Sequence, residues 1–466
     1  MSVAKSFLKL SRLEDTISKV SLVLSELRAQ QQHRTESLAP LKCALAPIRR
    51  IPPEILGEIF RLCDRMEVED RFSETDIADP AAAPLILGHV CSFWRTVSQN
   101  TPQLWDRVCL RSNVITPHTL QFIRTLFGRS RSLPLNVQIY TSSGDNGRCL
   151  GLLWEFRERL QHLRLFLDSD DHLPTITPDH NPLPALKSLL IFIFQTLPSS
   201  EILLCRINRC HWDLPNCAFP WSQLTFLQIT MPIDAAAVRH ILFQCVRLEQ
   251  CSLNDIDCED YVPPTLPRTL NSLLSFQLTP NLQGHSKEFV RSFTFPTLRA
   301  LHLRTDTDNP FAGSEFLDGP VVLELQARSH FGLKSLSFWG LAITLDNLLT
   351  FLRLIPSLQD LDMTYCDCVT NTLFSAFTYV PGSSASLALP KLEMLKIQEI
   401  TDNPDGSAVA DMVDSLRSHA GDIRAPFPLI NSVVLDLDGG RFSDAVEDRL
   451  ANAVSIGFLL DEAERP

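Results

Sequence analysis

Cys205, Cys210, His211 and Cys217 stand close together and are the residue types that hold zinc through thiolate and imidazole. Cys205 and Cys210, however, coincide with apolar positions of a repeat described below, which makes them core residues and leaves too few ligands. Asp436, Asp438 and Glu447 stand at the first, third and twelfth places of a calcium-type loop. Gly440 at the fifth place has no side-chain oxygen, and Arg441 occupies the sixth, where the loop requires glycine. No phosphate-binding Gly-rich loop, Gly-x-Ser-x-Gly or His-Glu-x-x-His occurs, and the 12 histidines are dispersed. The expectation is a chain with no catalytic residues, metal or cofactor of its own, whose work is recognition.

Composition narrows the partner. With 466 residues, 45% apolar and 21% charged, the chain is ordinary globular material for several domains or one long array. A net charge of −12 argues against nucleic acid, which calls for a basic stripe. No apolar run reaches the ~18 residues of a membrane span, and the first residues lack the apolar core of a secretory leader. Thirteen scattered cysteines without Cys-x-x-Cys, and no Asn-x-Ser/Thr, suit a reduced compartment, cytoplasmic or nuclear.

From 160 onward the chain repeats the pattern Leu-x-x-Leu-x-Leu. It is met at Leu160-Leu163-Leu165, Leu186-Leu189-Ile191, Ile202-Cys205-Ile207, Leu224-Leu227-Ile229 and Leu248-Cys251-Leu253. It recurs from Leu273, Leu298, Leu333, Leu358, Leu392 and Ile430. The period near 25 is that of leucine-rich repeats, in which each unit supplies one strand and a return segment and none buries its apolar edge alone. Stacking yields a solenoid with a parallel sheet over 160–440, with returns helical at Ala235–Gln244 and Leu345–Leu354. The residues between the template leucines then line an extended binding face. Arg164, Phe166, Arg206, Asn208, His302, Arg304, Trp339, Asp360, Asp362 and Lys396 hold those places. Arg206, His302, Arg304, Trp339, Asp360, Asp362 and Lys396 are the expected contacts to a protein target. Trp and Arg are enriched at interface hot spots, although Trp339 packed under a loop is the plainer alternative.

A second signature precedes the repeats. Pro52 and Pro53 sit where a helix can begin, and Ile55, Leu56, Ile59, Phe60 and Cys63 form a broad apolar stripe behind them. Val90-Cys91-x-x-Trp94 and Leu104-Trp105 follow. In order and spacing these three submotifs resemble the F-box, with two departures: Ile51-Pro52-Pro53 replaces a single Leu-Pro, and 64–84 is a longer, acidic insertion, as in the F-box sets of basidiomycete fungi. A segment this small buries little of its chain, and two Trp alone bring roughly 150–250 Å² each to cover. Either these faces pack on the rest of this chain or they dock onto a partner. The resemblance implies a Skp-type adaptor, through it a cullin, and the role of substrate receptor in an SCF-type ubiquitin ligase. Ile51, Pro53, Ile55, Leu56, Ile59, Phe60, Val90, Trp94, Leu104 and Trp105 would make the adaptor contacts. A repeat scaffold without ligase function is the alternative.

The expected α/β architecture is therefore a helical F-box followed by a leucine-rich-repeat horseshoe. Its parts are an N-terminal helix (1–46), the F-box (47–110), a transition segment (111–159) helical from Ser112 to Phe127, the repeats (160–440), and a C-terminal helix and tail (441–466). Within 5–32, Leu10, Leu13, Ile17, Val20, Leu24 and Leu27 alternate spacings of three and four. That is the seam of a helix folded back on its own domain, or of a coiled coil that self-associates or pairs with a partner.

Overall fold

The computed structural model describes residues 2–45, 47–69, 83–110, 117–140, 151, 153, 155–167, 183–193, 219–258, 261–284, 286–304, 320–341, 343–378, 389, 391–400, 406–418, 432–437 and 459–460. They form two compact units, one ending at Leu104 and the other beginning at Trp105.

The second unit is a repeat solenoid built on one parallel sheet. Its strands are β1 (Arg107–Leu110), β2 (Leu135–Tyr140), β3 (Leu160–Leu167), β4 (Ser188–Ile193), β5 (Phe226–Asp234) and β6 (Gln250–Cys258). Beyond these come β8 (Ser275–Gly284), β10 (Ala300–Arg304), β11 (Ser335–Trp339), β12 (Asp360–Thr364), β13 (Met394–Ile400), β14 (Ser432–Leu437) and β15 (Leu459–Leu460). They lie side by side in sequence order, while β7 (Arg268–Thr269) and β9 (Phe293–Thr294) pair separately. Parallel neighbours require a crossover, and the return segments supply it, helical at Ala235–Gln244, Pro320–Ser329, Leu345–Arg353, Asn371–Phe377 and Gly406–Ser418.

Register explains the repeat. Leu163, Leu189, Leu227, Cys251, Phe276, Leu301, Leu336, Leu361, Leu395 and Val433 face one another in a continuous row. The third template position forms a parallel row two residues on, and both rows are buried where described. Because side chains alternate faces along a strand, the residues between them share the opposite face. Buried residues of the return helices, such as Val238, Leu242, Phe351, Phe374 and Met412, complete the core.

The strand entries are tied by a second periodic device. The N–H groups of Thr225 and Phe226 both donate to the Lys187 carbonyl, those of Glu249 and Gln250 to Thr225, and those of Leu274 and Ser275 to Glu249. The pattern runs on through Leu274, Arg299, Lys334 and Gln359. The hydroxyl before the leading leucine reaches back one repeat: Thr297 Oγ1 donates to the Asn271 and Leu273 carbonyls (2.9 and 3.0 Å), and Ser357 Oγ to Leu333 (2.7 Å). This gives the Pro-Thr-Leu and Pro-Ser-Leu lead-ins a mechanical role, since the proline turns the chain and the hydroxyl fixes where the next strand starts.

The first unit consists of α1 (Ser2–Leu45), α2 (Pro53–Glu69), α3 (Ala83–Val90) and α4 (Ser92–Gln99). α2 begins at Pro53, as its missing N–H permits, with the Leu56 N–H donating to the Pro52 carbonyl. α3 and α4 break at Cys91, whose Sγ caps α4 by accepting from the Trp94 N–H (3.4 Å). Gly57 faces Thr101, where an added Cβ would stand 2.9 Å from Oγ1, so glycine permits this close approach.

Several boundaries differ from expectation. The sheet starts at Arg107, well before Leu160, so the end of the expected F-box span and part of the transition segment belong to the solenoid. Of the helix expected over Ser112–Phe127, 112–116 lie outside the described residues, and the described part runs Pro117–Arg129. At the other end Leu459–Leu460 pairs with β14 as a strand where a helix and tail were expected. The Ile202-Cys205-Ile207 unit, with the rest of 194–218, lies outside the described residues, and β4 pairs directly with β5. In the acidic insertion α2 continues to Glu69; 70–82 lie outside the described residues.

Candidate functional site

Two surfaces carry the candidate residues, one in each unit. In the first unit the apolar stripe of α2 divides. Leu56 and Phe60 point inward and are fully buried, with the Phe60 ring 4.9 Å from that of half-buried Trp94. One position before each, Ile55 and Ile59 point outward and are 54% and 39% exposed. Val90 (56%) and Phe93 (38%) are exposed on α3 and α4, as are Leu62 and Ile86. Pro53 is exposed and Ile51 half-buried. α2, α3 and α4 thus keep six bulky apolar side chains in water, the kind of surface that marks an interaction site.

Four of the expected adaptor contacts are interior instead. Leu56, Phe60, Leu104 and Trp105 are almost completely buried, so they support the outward residues without being available themselves. Trp105 has a different job altogether. It stands three residues before Val108, the place the repeat gives its leading leucine, and the Arg129 guanidinium lies 4.7 Å over its ring in the second unit. Exposed Phe93, Leu62 and Ile86 were missed in the sequence, because helical spacing alone does not say which of two adjacent apolar stripes faces inward.

In the second unit, six of the seven expected target contacts come together on β10–β13; Arg206 lies outside the described residues. His302, Ser337, Asp362 and Lys396 form one row across the strands, and Arg304, Trp339 and Thr364 the next. The Arg304 guanidinium lies 3.6 Å from the Trp339 ring centroid, a cation–π stack. Lys396 Nζ is 3.4 Å from Asp362 Oδ2, whose other oxygen accepts from Thr364 Oγ1 at 3.3 Å. Burial lowers the His302 pKa, with Asp362 opposing in part, and burial raises that of Asp360, with Glu393 adding to it.

Tyr365 joins this surface and was not anticipated. Its ring lies 6.4 Å from Trp339, and its backbone sits in the left-handed region at φ 53°. The equivalent place after β11 is Gly340, at φ 66°, the residue that tolerates that conformation. Holding an aromatic residue where glycine fits costs roughly 1 kcal/mol or more of backbone strain, and here it sets a third flat group beside Arg304 and Trp339. The only sequence signal was Tyr365 aligning with Gly340 once the repeats are superposed. At the other end of the same face Tyr140 stacks on Phe166 (4.3 Å), which contacts Phe192 (5.7 Å). Between them Asn254 donates to Thr230 and accepts from Thr279. Chemically the face offers planar aromatic and guanidinium groups beside polar side chains, a surface suited to gripping another chain. Among the described residues no group of three or more His, Cys, Asp or Glu is placed to hold a metal ion, and no helix is long and apolar enough to cross a membrane.

No family model matches the sequence, and no curated protein matches it. Among solved structures, a protein from Bacteroides fragilis determined by a structural genomics consortium is 12% identical over 77% of this chain and 76% of its own. Its TM-score is 0.29, and a likeness that loose carries no argument about fold or function.

Proposed function

We propose that this chain is an F-box protein with C-terminal leucine-rich repeats, acting as the substrate receptor of an SCF-type ubiquitin ligase. On this reading the first unit docks a Skp-type adaptor and the open face of the sheet holds a protein target. Ubiquitin transfer is carried out by other subunits. This chain contributes proximity, raising the effective concentration of target lysines near the ligase.

One observation carries the reading: Ile55, Ile59, Val90 and Phe93 stand exposed together with the F-box-like submotifs, while Leu56 and Phe60 of the same motif fill the interior. A motif that served only its own unit would have no use for the outward half. The test is titration of purified adaptor onto the full chain, beside the double variant Ile55→Glu and Val90→Glu. Both positions are exposed, so the variant retains its melting profile and loses adaptor affinity by about a hundredfold or more. Undiminished binding, or none by the parent chain, overturns the assignment; a target bound without any adaptor points to the scaffold alternative.

A further inference from the structure

α1 is the longest helix described, and each of its residues from Thr16 to Leu38 is exposed. A helix in water draws most of its stability from packing an apolar face, and here Ile17 (63%), Val20 (60%), Leu24 (46%) and Leu27 (58%) are uncovered along one seam. We propose that this seam pairs with the same helix of a second copy, in a parallel two-stranded coiled coil over residues 9–28.

Three features select a second copy and the parallel sense. The alternating spacing of Ile17, Val20, Leu24 and Leu27 is continued toward the N-terminus by Leu10 and Leu13, so the seam is self-complementary in sequence. Lys9 and Glu14 fall at g and the following e position, which oppose each other across a parallel pair and do so twice by symmetry. In the antiparallel pairing that keeps the same seam layers, Lys9 would oppose Gln30, and Glu14 would oppose Ser21, so both ion pairs are lost. The other flanking positions in the span (Thr16, Ser21, Val23 and Arg28) bring no like charges together, while Lys19 and Glu26 point away from the seam. Gln31 and Arg34 interrupt the apolar series and end the pairing. This inference is independent of adaptor binding, which uses α2–α4.

The test is the solution mass of the full chain, by sedimentation over a concentration series, beside two variants. Ile17→Glu together with Leu24→Glu charges the seam; Leu22→Glu charges an exposed residue on the far side of the same helix. The expected result is two chains for the parent and for Leu22→Glu, with dimer affinity weakened by about a hundredfold in the seam variant. Oxidation of Ile17→Cys should add a cross-linked dimer absent from the parent, since of the pairings that keep the seam layers only the parallel, in-register one sets residue 17 opposite itself. A monomeric parent, a dimer that survives the seam variant, an assembly of three or more chains, or no added cross-link would each overturn the proposal.

Discussion

At the scale of single residues, the structure assigns roles that residue type alone left open. Ser357 is serine because its hydroxyl ties one repeat to the previous one; Ser357→Ala leaves the Leu333 carbonyl short of a donor and is expected to cost about 1 kcal/mol in urea unfolding. Tyr365 is the opposite case, a residue the backbone disfavours. Tyr365→Gly should leave stability level or slightly raised, because relieved strain offsets the lost ring contact, while weakening the target binding proposed for this face. His302 predicts a pH dependence. Burial lowers its folded pKa below the ordinary value of about 6.5. As pH falls through that region the unfolded chain takes up the proton first, so stability declines with acidification. His302→Gln should flatten that slope between about pH 7.5 and 5.5, read as urea midpoints; an unchanged slope would remove His302 from the account. Sequence spacing brought His302, Arg304, Trp339, Asp360, Asp362 and Lys396 to one surface because alternation along a strand is strict. It could not show Tyr365, whose role depends on a backbone conformation.

At the scale of elements, period and length were legible, while direction was not. The return helix over Ala235–Gln244 and the strands following Leu298, Leu333 and Leu358 lie where the spacing put them, since each leading leucine must reach the same core. β1 escaped because Trp105 replaces its leading leucine, and β2 because Leu135 stands one residue closer to Val137 than the template allows, a shift taken up as a register irregularity. α2 reads clearly as a helix, yet Ile55 and Ile59 against Leu56 and Phe60 could only be assigned to outside and inside by seeing what packs on them. The interior half of that helix supplies the packing of the unit. Phe60→Ala removes a fully buried ring in contact with Trp94 and is expected to cost about 3–5 kcal/mol. So small a unit has little margin, and limited proteolysis should then cut 53–104 while the sheet stays resistant.

At the scale of the molecule, a stack of repeats is held by nearest neighbours, and the continuous row through Leu336, Leu361 and Leu395 is its spine. Leu361→Ala should cost about 2–5 kcal/mol and unfasten the strands around β12 first, visible as local loss of amide protection. Buried thiols report the same opening. Burial pushes Cys245 and Cys368 up to about 12, and Cys251 and Cys366 are raised as well, so alkylation at neutral pH should reach them only through unfolding, while exposed Cys63 reacts at once. In the proposed function the two units work toward one end, an apolar helical face holding an adaptor and a patterned sheet face holding a target. Affinity purification of the full chain from its native cell, with and without proteasome inhibition, beside the Ile55→Glu, Val90→Glu variant, tests that division of labour most directly. The expected result is adaptor and cullin with the parent, their loss from the variant, and a further protein that accumulates when the proteasome is blocked. Equal adaptor recovery from both chains, or none from either, would contradict it.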